Sequence, residues 1–175
     1  MSISSNKYLS GEEIKELKES LALASVRDQA LVGLLMSLGM RGAEVLAIPV
    51  KDVNITEGVI YVPGKKRSNG RLCPIPSHLV AVMERYLLER KNTEMLFDLS
   101  ASGLKLVWNR LRPCKKGVQS LRHTFAIELY KKTRDIKLVQ VCLGHKSIMS
   151  TQVYADFVYS TEEIRKALLG EVYCG

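Results

Sequence analysis

The hydrophobic period of this chain changes twice, and that change constrains the fold more than any other feature. Residues 11–38 carry apolar side chains at helical spacing, residues 53–75 carry short alternating runs between turn residues, and helical spacing returns after residue 77. Such a chain is expected to be mainly α with a small three-stranded antiparallel sheet (α+β). Ser10-Gly11-Glu12-Glu13 is a capping box, and Ile14, Leu17 and Leu21 follow on one face, so residues 11–22 should be helical. Val26 to Leu38 should form a second helix, with Ala30, Leu31, Leu34 and Leu35 as its stripe and Gly39 as its stop. Met40-Arg41-Gly42 is a short connection, and Ala43 to Ala47 is a short helix before Pro49.

Three strands are expected from Val53 and Ile55, from Val59 to Val62, and from Leu72 to Ile75. Thr56-Glu57-Gly58 joins the first pair, and a basic loop from Gly64 to Gly70 joins the second. Ser77 should cap a helix through Arg90, with Leu79, Val82, Met83, Tyr86 and Leu87 inward. Leu104, Val107, Trp108 and Leu111 mark the next helix, which Pro113 stops. Leu121, Phe125 and Leu129 mark another, with Arg122 near its boundary. Asp135 caps the one after, with Ile136, Val139 and Leu143 inward and Gly144 at its end. Ile148 to Ala155 reads as a short helix, and a second capping box, Ser160-Thr161-Glu162-Glu163, opens a last amphipathic one.

A length of 175 residues suits one compact domain. With 46% hydrophobic and 25% charged residues, a disordered, collagen-like or coiled-coil chain is excluded. No apolar run approaches the roughly 18 residues of a membrane span, and MSISSNKYLS, with no apolar block and no small-residue cleavage site, is not expected to act as a signal peptide. Cys73, Cys114, Cys142 and Cys174 lie far apart, without a C-x-x-C pair, which suggests a reducing, intracellular setting with no zinc site.

Charge gives the first functional indication. Residues 58–83 hold Lys65, Lys66, Arg67 and Arg71, and residues 99–127 hold Lys105, Arg110, Arg112, Lys115, Lys116 and Arg122, with no acid in either window. These windows carry +10 of a net +8, so the rest of the chain sums to −2. Basic charge concentrated this way suggests a polyanionic partner.

Singly, the candidate residues read two ways. Arg41 can be a surface arginine paired with Glu44 one turn on, Lys65 and Lys66 can be solvated loop charges, and His123 can be a structural histidine. His145 can complement a helix dipole, and Tyr154 can be a core or boundary residue. Their order changes the reading. Gly-Met-Arg41-Gly-Ala-Glu44-Val-Leu-Ala comes first, then Gly64-Lys65-Lys66 before Pro74-Ile75-Pro76. Leu121-Arg122-His123-Thr124-Phe125-Ala126 follows, then Leu143-Gly144-His145 with Tyr154 nine residues past His145. This order resembles the catalytic domain of the tyrosine recombinases, the phage integrase family, over nearly the whole chain.

The resemblance implies a site-specific DNA recombinase or integrase, of the kind carried by mobile elements. Tyr154 matches the nucleophile that becomes joined to the 3′ phosphate of DNA. Arg41 and Arg122 match the pair that clamps the non-bridging oxygens, and Glu44 a supporting acid. Lys66 matches the general acid for the 5′-hydroxyl, with Lys65 a second candidate, and His145 matches a phosphate contact. Gln119 stands where the family usually has His or Lys; it can donate a hydrogen bond but cannot relay a proton. His123 is structural in the family pattern. Lys65, Arg67, Lys105, Arg110, Arg112, Lys115 and Lys116 become candidate contacts to double-stranded DNA. Lys115 and Lys116 can also stand in for the proton relay. The resemblance further implies no cofactor, no metal and no ATP, since the phosphotyrosyl bond conserves energy. It implies a tetramer on paired sites, a monomer when free, a cytoplasmic, nucleoid-associated location, and residues 1–175 as the catalytic domain without the family's N-terminal core-binding domain. The alternatives are type IB topoisomerase-like nicking and religation, a telomere resolvase, or a non-catalytic DNA-binding regulator.

Overall fold

A computed structural model describes residues 5–65, 68–88, 90 and 94–155. Among the described residues, eight α-helices and three strands run in the order α1 (Gly11–Ala22), α2 (Val26–Leu38), α3 (Gly42–Val45), β1 (Val53–Asn54), β2 (Val59–Val62), β3 (Arg71–Pro74), α4 (Ser77–Leu88), α5 (Ala101–Leu111), α6 (Gln119–Thr133), α7 (Ile136–Leu143) and α8 (Met149–Gln152). Ser10 and Glu13 form both hydrogen bonds of the expected capping box at α1. Ser25 caps α2 by accepting from the Asp28 amide, and Gly39 ends it at φ +59°. Asp135 caps α7, and Gly144 ends it at φ +67°.

Helix α2 runs through the centre and is buried over nearly its whole circumference, with Ala30, Leu31, Val32, Leu34 and Leu35 all inaccessible. It packs against α1, α3, α4 and α6. Around it lie Leu17, Met83, Tyr86, Phe97 and Trp108. A second apolar cluster joins α6, α7 and α8 through Ala126, Ile127, Tyr130, Val139 and Leu143, and Tyr154 belongs to it. The sheet is antiparallel in the order β1-β2-β3, with Ile60 opposite Val53 on one side and Cys73 on the other.

Several boundaries depart from expectation. The short helix after Arg41 covers Gly42–Val45, β1 has only two residues, α4 ends at Leu88, and α8 covers Met149–Gln152 rather than residues 148–155. The strand expected over Leu72–Ile75 starts one residue earlier, at Arg71. Helix α6 is not a half-exposed amphipathic helix. It lies between α2, α7 and the N-terminal turn, so Ser120, Arg122 and Thr124 are buried while Phe125 and Leu129 are only half-buried. The second capping box and the last helix fall outside the described residues.

Candidate active site

The site is organised around one carboxylate. Arg41 is the N-cap of α3 and Glu44 is its third residue, so the local capping geometry turns the Glu44 side chain back toward Arg41. The Arg41 amide donates to Glu44 Oε2 at 2.9 Å, and Arg41 Nη1 donates to Oε1 at 2.9 Å. Arg71 Nη2 donates to Oε2 at 3.1 Å, and Arg122 Nη1 lies 3.5 Å from the same oxygen. Glu44 is 1% exposed. Burial alone would raise its pKa; the Arg41 amide, Arg71 and Arg122 more than reverse this and hold it at about 2.

Arg122 is buried in the interior of the fold, not near the boundary of its helix. Two helix ends hold it. Arg122 Nη1 donates to the Gly39 carbonyl at 2.7 Å, and Nη2 donates to the Leu143 carbonyl at 2.9 Å. Both carbonyls lie at helix C-termini, where the backbone dipole favours a cation. Burial, and then the neighbouring Arg41, lower Arg122 to about 10, which leaves it charged at neutral pH. The glycines are needed at these turns. Both have positive φ, a Cβ at Gly39 would run into the Phe125 ring, and one at Gly144 would lie 2.8 Å from Arg71 Nη1 and 2.9 Å from the Asn69 carbonyl.

The basic hairpin docks on the α7 terminus. The Asn69 amide donates to the Gly144 carbonyl at 2.9 Å, and Ser68 forms a β-bridge with His145. Lys65 pairs with Ser68 through two main-chain hydrogen bonds, and it lines a groove with Gly42, the residue after Arg41. Lys66 and Arg67 lie outside the described residues. His145 is buried, with Nδ1 2.8 Å from Thr151 Oγ1. Burial first, then Arg122 and Arg41, lower its pKa to about 4, so the ring is neutral at pH 7. Tyr154 is 3% exposed, and its Oη lies 3.1 Å from His123 Nδ1. Burial pushes the Tyr154 phenol up, while Arg122 and Arg41 pull it down. The chemistry available is therefore a fixed cluster of cations within electrostatic reach of a phenolic hydroxyl, suited to an anion that gains charge during reaction.

The structure thus joins Arg41, Glu44, Arg122, the His145 turn and the Tyr154 segment, although they come from sequence positions more than a hundred residues apart. The outlying basic residues separate into groups. Lys65, Lys105 and Arg112 line one groove with Gly42 and Ala43, beside Arg41. Lys115 is exposed on the segment after α5. Arg110 points the other way and is ion-paired with buried Asp28. Lys116 donates to both oxygens of Glu13, at 2.6 and 2.9 Å, and to the Tyr8 carbonyl at 2.7 Å. It is therefore occupied and is no free proton relay beside Gln119. Gln119 is exposed at the start of α6 and lines a small cavity with Lys116 and His123.

Two features escaped the sequence reading. Arg71 is a third arginine in the cluster, buried by strand alternation: Arg71 and Cys73 face inward while Leu72 faces solvent. An inward Cys73 and Ile75 would have placed Arg71 inside two residues earlier. The other is the contact of His123 with the Tyr154 hydroxyl; the spacing of the two residues carries no local signal.

Known proteins bear on this site. A sequence model of the phage integrase family matches residues 7–160. Tyrosine recombinase XerA of Thermococcus kodakarensis is 33% identical over 174 residues, covering 92% of this chain and 61% of that protein. XerA of Pyrococcus furiosus is 31% identical over 161 residues, covering 85% of this chain and 56% of that one. The chain thus spans less than two thirds of the length of these relatives. XerH site-specific recombinase bound to difH substrate, in a pre-cleavage complex, is similar in structure at TM-score 0.70 and 28% identity, over 85% of this chain and 50% of that one. The catalytic domain of bacteriophage HP1 integrase shares the fold at TM-score 0.68 and 22% identity, over 94% of this chain and 95% of that one. A match over nearly all of the described residues, with relatives that are tyrosine recombinases, makes this chain a member of the phage integrase family.

Proposed function

We propose that this chain performs the cleavage and rejoining steps of site-specific DNA recombination. One observation supports the reading above all: Arg41 and Arg122 share a single buried carboxylate, Glu44, within electrostatic reach of the Tyr154 hydroxyl. A phosphodiester under attack spreads charge over its non-bridging oxygens, and two fixed guanidinium forks meet that charge without taking up or losing a proton. Because Glu44 already orients both forks, little reorganisation accompanies the reaction.

In this reading, Tyr154 Oη attacks the scissile phosphorus, a 3′-phosphotyrosyl bond forms, and the bond to the 5′-oxygen breaks. The leaving oxygen takes a proton from the hairpin lysine, Lys66 or Lys65, and His145 contacts the phosphate. A free 5′-hydroxyl from a partner strand then reverses the step, which gives strand exchange without an external energy source. Lys65, Lys105 and Arg112 contact flanking phosphates, which supply affinity rather than sequence reading. Four copies on paired sites complete the exchange.

The test is a nicked duplex from which the cleaved strand end diffuses away, so that the covalent intermediate accumulates. The expected result is a protein–DNA band that Tyr154→Phe abolishes. A band that persists in Tyr154→Phe would overturn the assignment of the nucleophile, and no band across a randomised set of duplexes would overturn the cleavage reading.

A further inference from the structure

His123 follows Arg122 on α6, and the residue that it touches is the nucleophile of the reading above. Its Nδ1 lies 3.1 Å from Tyr154 Oη, and the rings meet at 50° with centroids 5.9 Å apart. Among the described residues this is the one hydrogen-bond partner of that hydroxyl. Three further facts bear on the contact. Tyr154 is nearly inaccessible, so bulk water cannot easily take its proton. Gln119, one turn earlier on the same helix, cannot accept a proton at neutral pH. Lys116, the nearest sequence candidate to replace it, is bound by Glu13.

We propose that His123 is the general base of the cleavage step and the general acid of rejoining, exchanging the Tyr154 proton through Nδ1. The proposal rests on the reading of Tyr154 as nucleophile. With the ring proton on Nε2, Nδ1 accepts the phenolic proton while Oη bonds to phosphorus. The 5′-oxygen leaves with a proton from the hairpin lysine. On rejoining, Nδ1 returns its proton to Oη as the phosphotyrosyl bond breaks, and the attacking 5′-hydroxyl gives its proton back to the lysine. Each residue ends as it began.

The surroundings suit this role. Burial, then Arg122 and Lys7, keep the imidazole below its ordinary pKa, so it is neutral and able to accept at pH 7. The groups facing it are Arg122 on its own helix, Lys7 from the N-terminal turn, Tyr154 from beyond α8, and Gln119 and Lys116 across the shared cavity. Glu13 balances the charge of Lys116. The imidazolium that forms is offset by the negative charge that develops on the phosphorane beside it.

The experiment uses a nicked duplex obtained by covalent capture from a pool randomised around the nick. Single-turnover cleavage is measured for the parent chain, His123→Asn and Tyr154→Phe from pH 6 to 9. His123→Asn is expected to slow covalent-complex formation by about 10²–10⁴-fold at pH 7, to recover as pH rises, and to leave DNA affinity and melting temperature close to the parent values. Incorporating 3,5-difluorotyrosine at position 154, whose phenol is more acidic, should shrink the deficit; a merely structural histidine would show no such rescue. A His123→Asn rate equal to the parent rate, or a deficit unchanged by pH and fluorination, overturns the proposal while leaving the nucleophile in place. No capture by the parent chain overturns the functional reading and the proposal together.

Discussion

Replacing Glu44 with glutamine removes the charge that three arginines share. Its carboxyl is held at about 2, against an ordinary value of 4.5. That depression corresponds to roughly 3 kcal/mol of folding stability at pH 7. A mutational view agrees, since leaving Arg71 and Arg122 buried without their counter-ion costs about 3–5 kcal/mol. For a chain of this size the melting temperature should fall by roughly 6–20 °C. The sign of the pH dependence follows from the depressed pKa. The contribution is complete above the unfolded value and is lost as pH falls toward the folded one. The gap between parent and Glu44→Gln should therefore narrow by about 1 kcal/mol at pH 4 and by about 2 kcal/mol at pH 3. Urea denaturation at pH 7, 5, 4 and 3 measures this directly. A variant within about 1 kcal/mol of the parent at pH 7, or a gap that stays constant down to pH 3, would refute the reasoning.

Arg71→Gln should slow cleavage on the order of 10²-fold through misplacement of Glu44 and the two other arginines, with DNA affinity little changed; single-turnover kinetics and a binding isotherm check both halves. Gly39→Ala forces a left-handed residue to carry a Cβ against Phe125 and should cost roughly 2–4 kcal/mol in denaturant unfolding. Lys105→Ala and Arg112→Ala should each lower the slope of log affinity against log salt by about 1, whereas Arg110→Ala should leave it unchanged, because Arg110 is paired with Asp28. Glu13 is held at about 2 because Lys116 and the Ser10 amide outweigh its burial, so Glu13→Gln should remove part of the stability that the parent loses as pH falls from about 4.5 toward 2. Melting curves across that range test it.

Periodicity, caps and turn residues are local signals, and they placed α1, α2, α7 and the sheet within a residue or two. The Ser10 and Asp135 caps and the Gly39 and Gly144 stops were legible because each uses side-chain or backbone chemistry within four residues. The Arg41–Glu44 contact was legible for the same reason, as both lie in one helical turn. The burial of Arg122 was not. Its carbonyl partners come from residues 39 and 143, and a helix covered on several sides leaves no amphipathic mark. Arg71 and Leu72 exchange the places that hydrophobicity alone would assign, because the ion pair with Glu44 outweighs the exposure of one leucine. The separation of Arg110 and Lys116 from Lys105 and Arg112 is also tertiary, since neighbouring positions on one segment project to different faces and find different acids.

The grip on Arg122 has a consequence for synthesis of the chain. One carbonyl belongs to Gly39 and the other to Leu143, more than a hundred residues later, and the hairpin seats itself on that same later turn. A nascent chain that has emerged only as far as α6 therefore lacks half of the socket for its own guanidinium, as well as the tyrosine. The buried cation is therefore seated only after the turn at residues 143–144 has formed, so this part of the fold closes later than the helix that carries it.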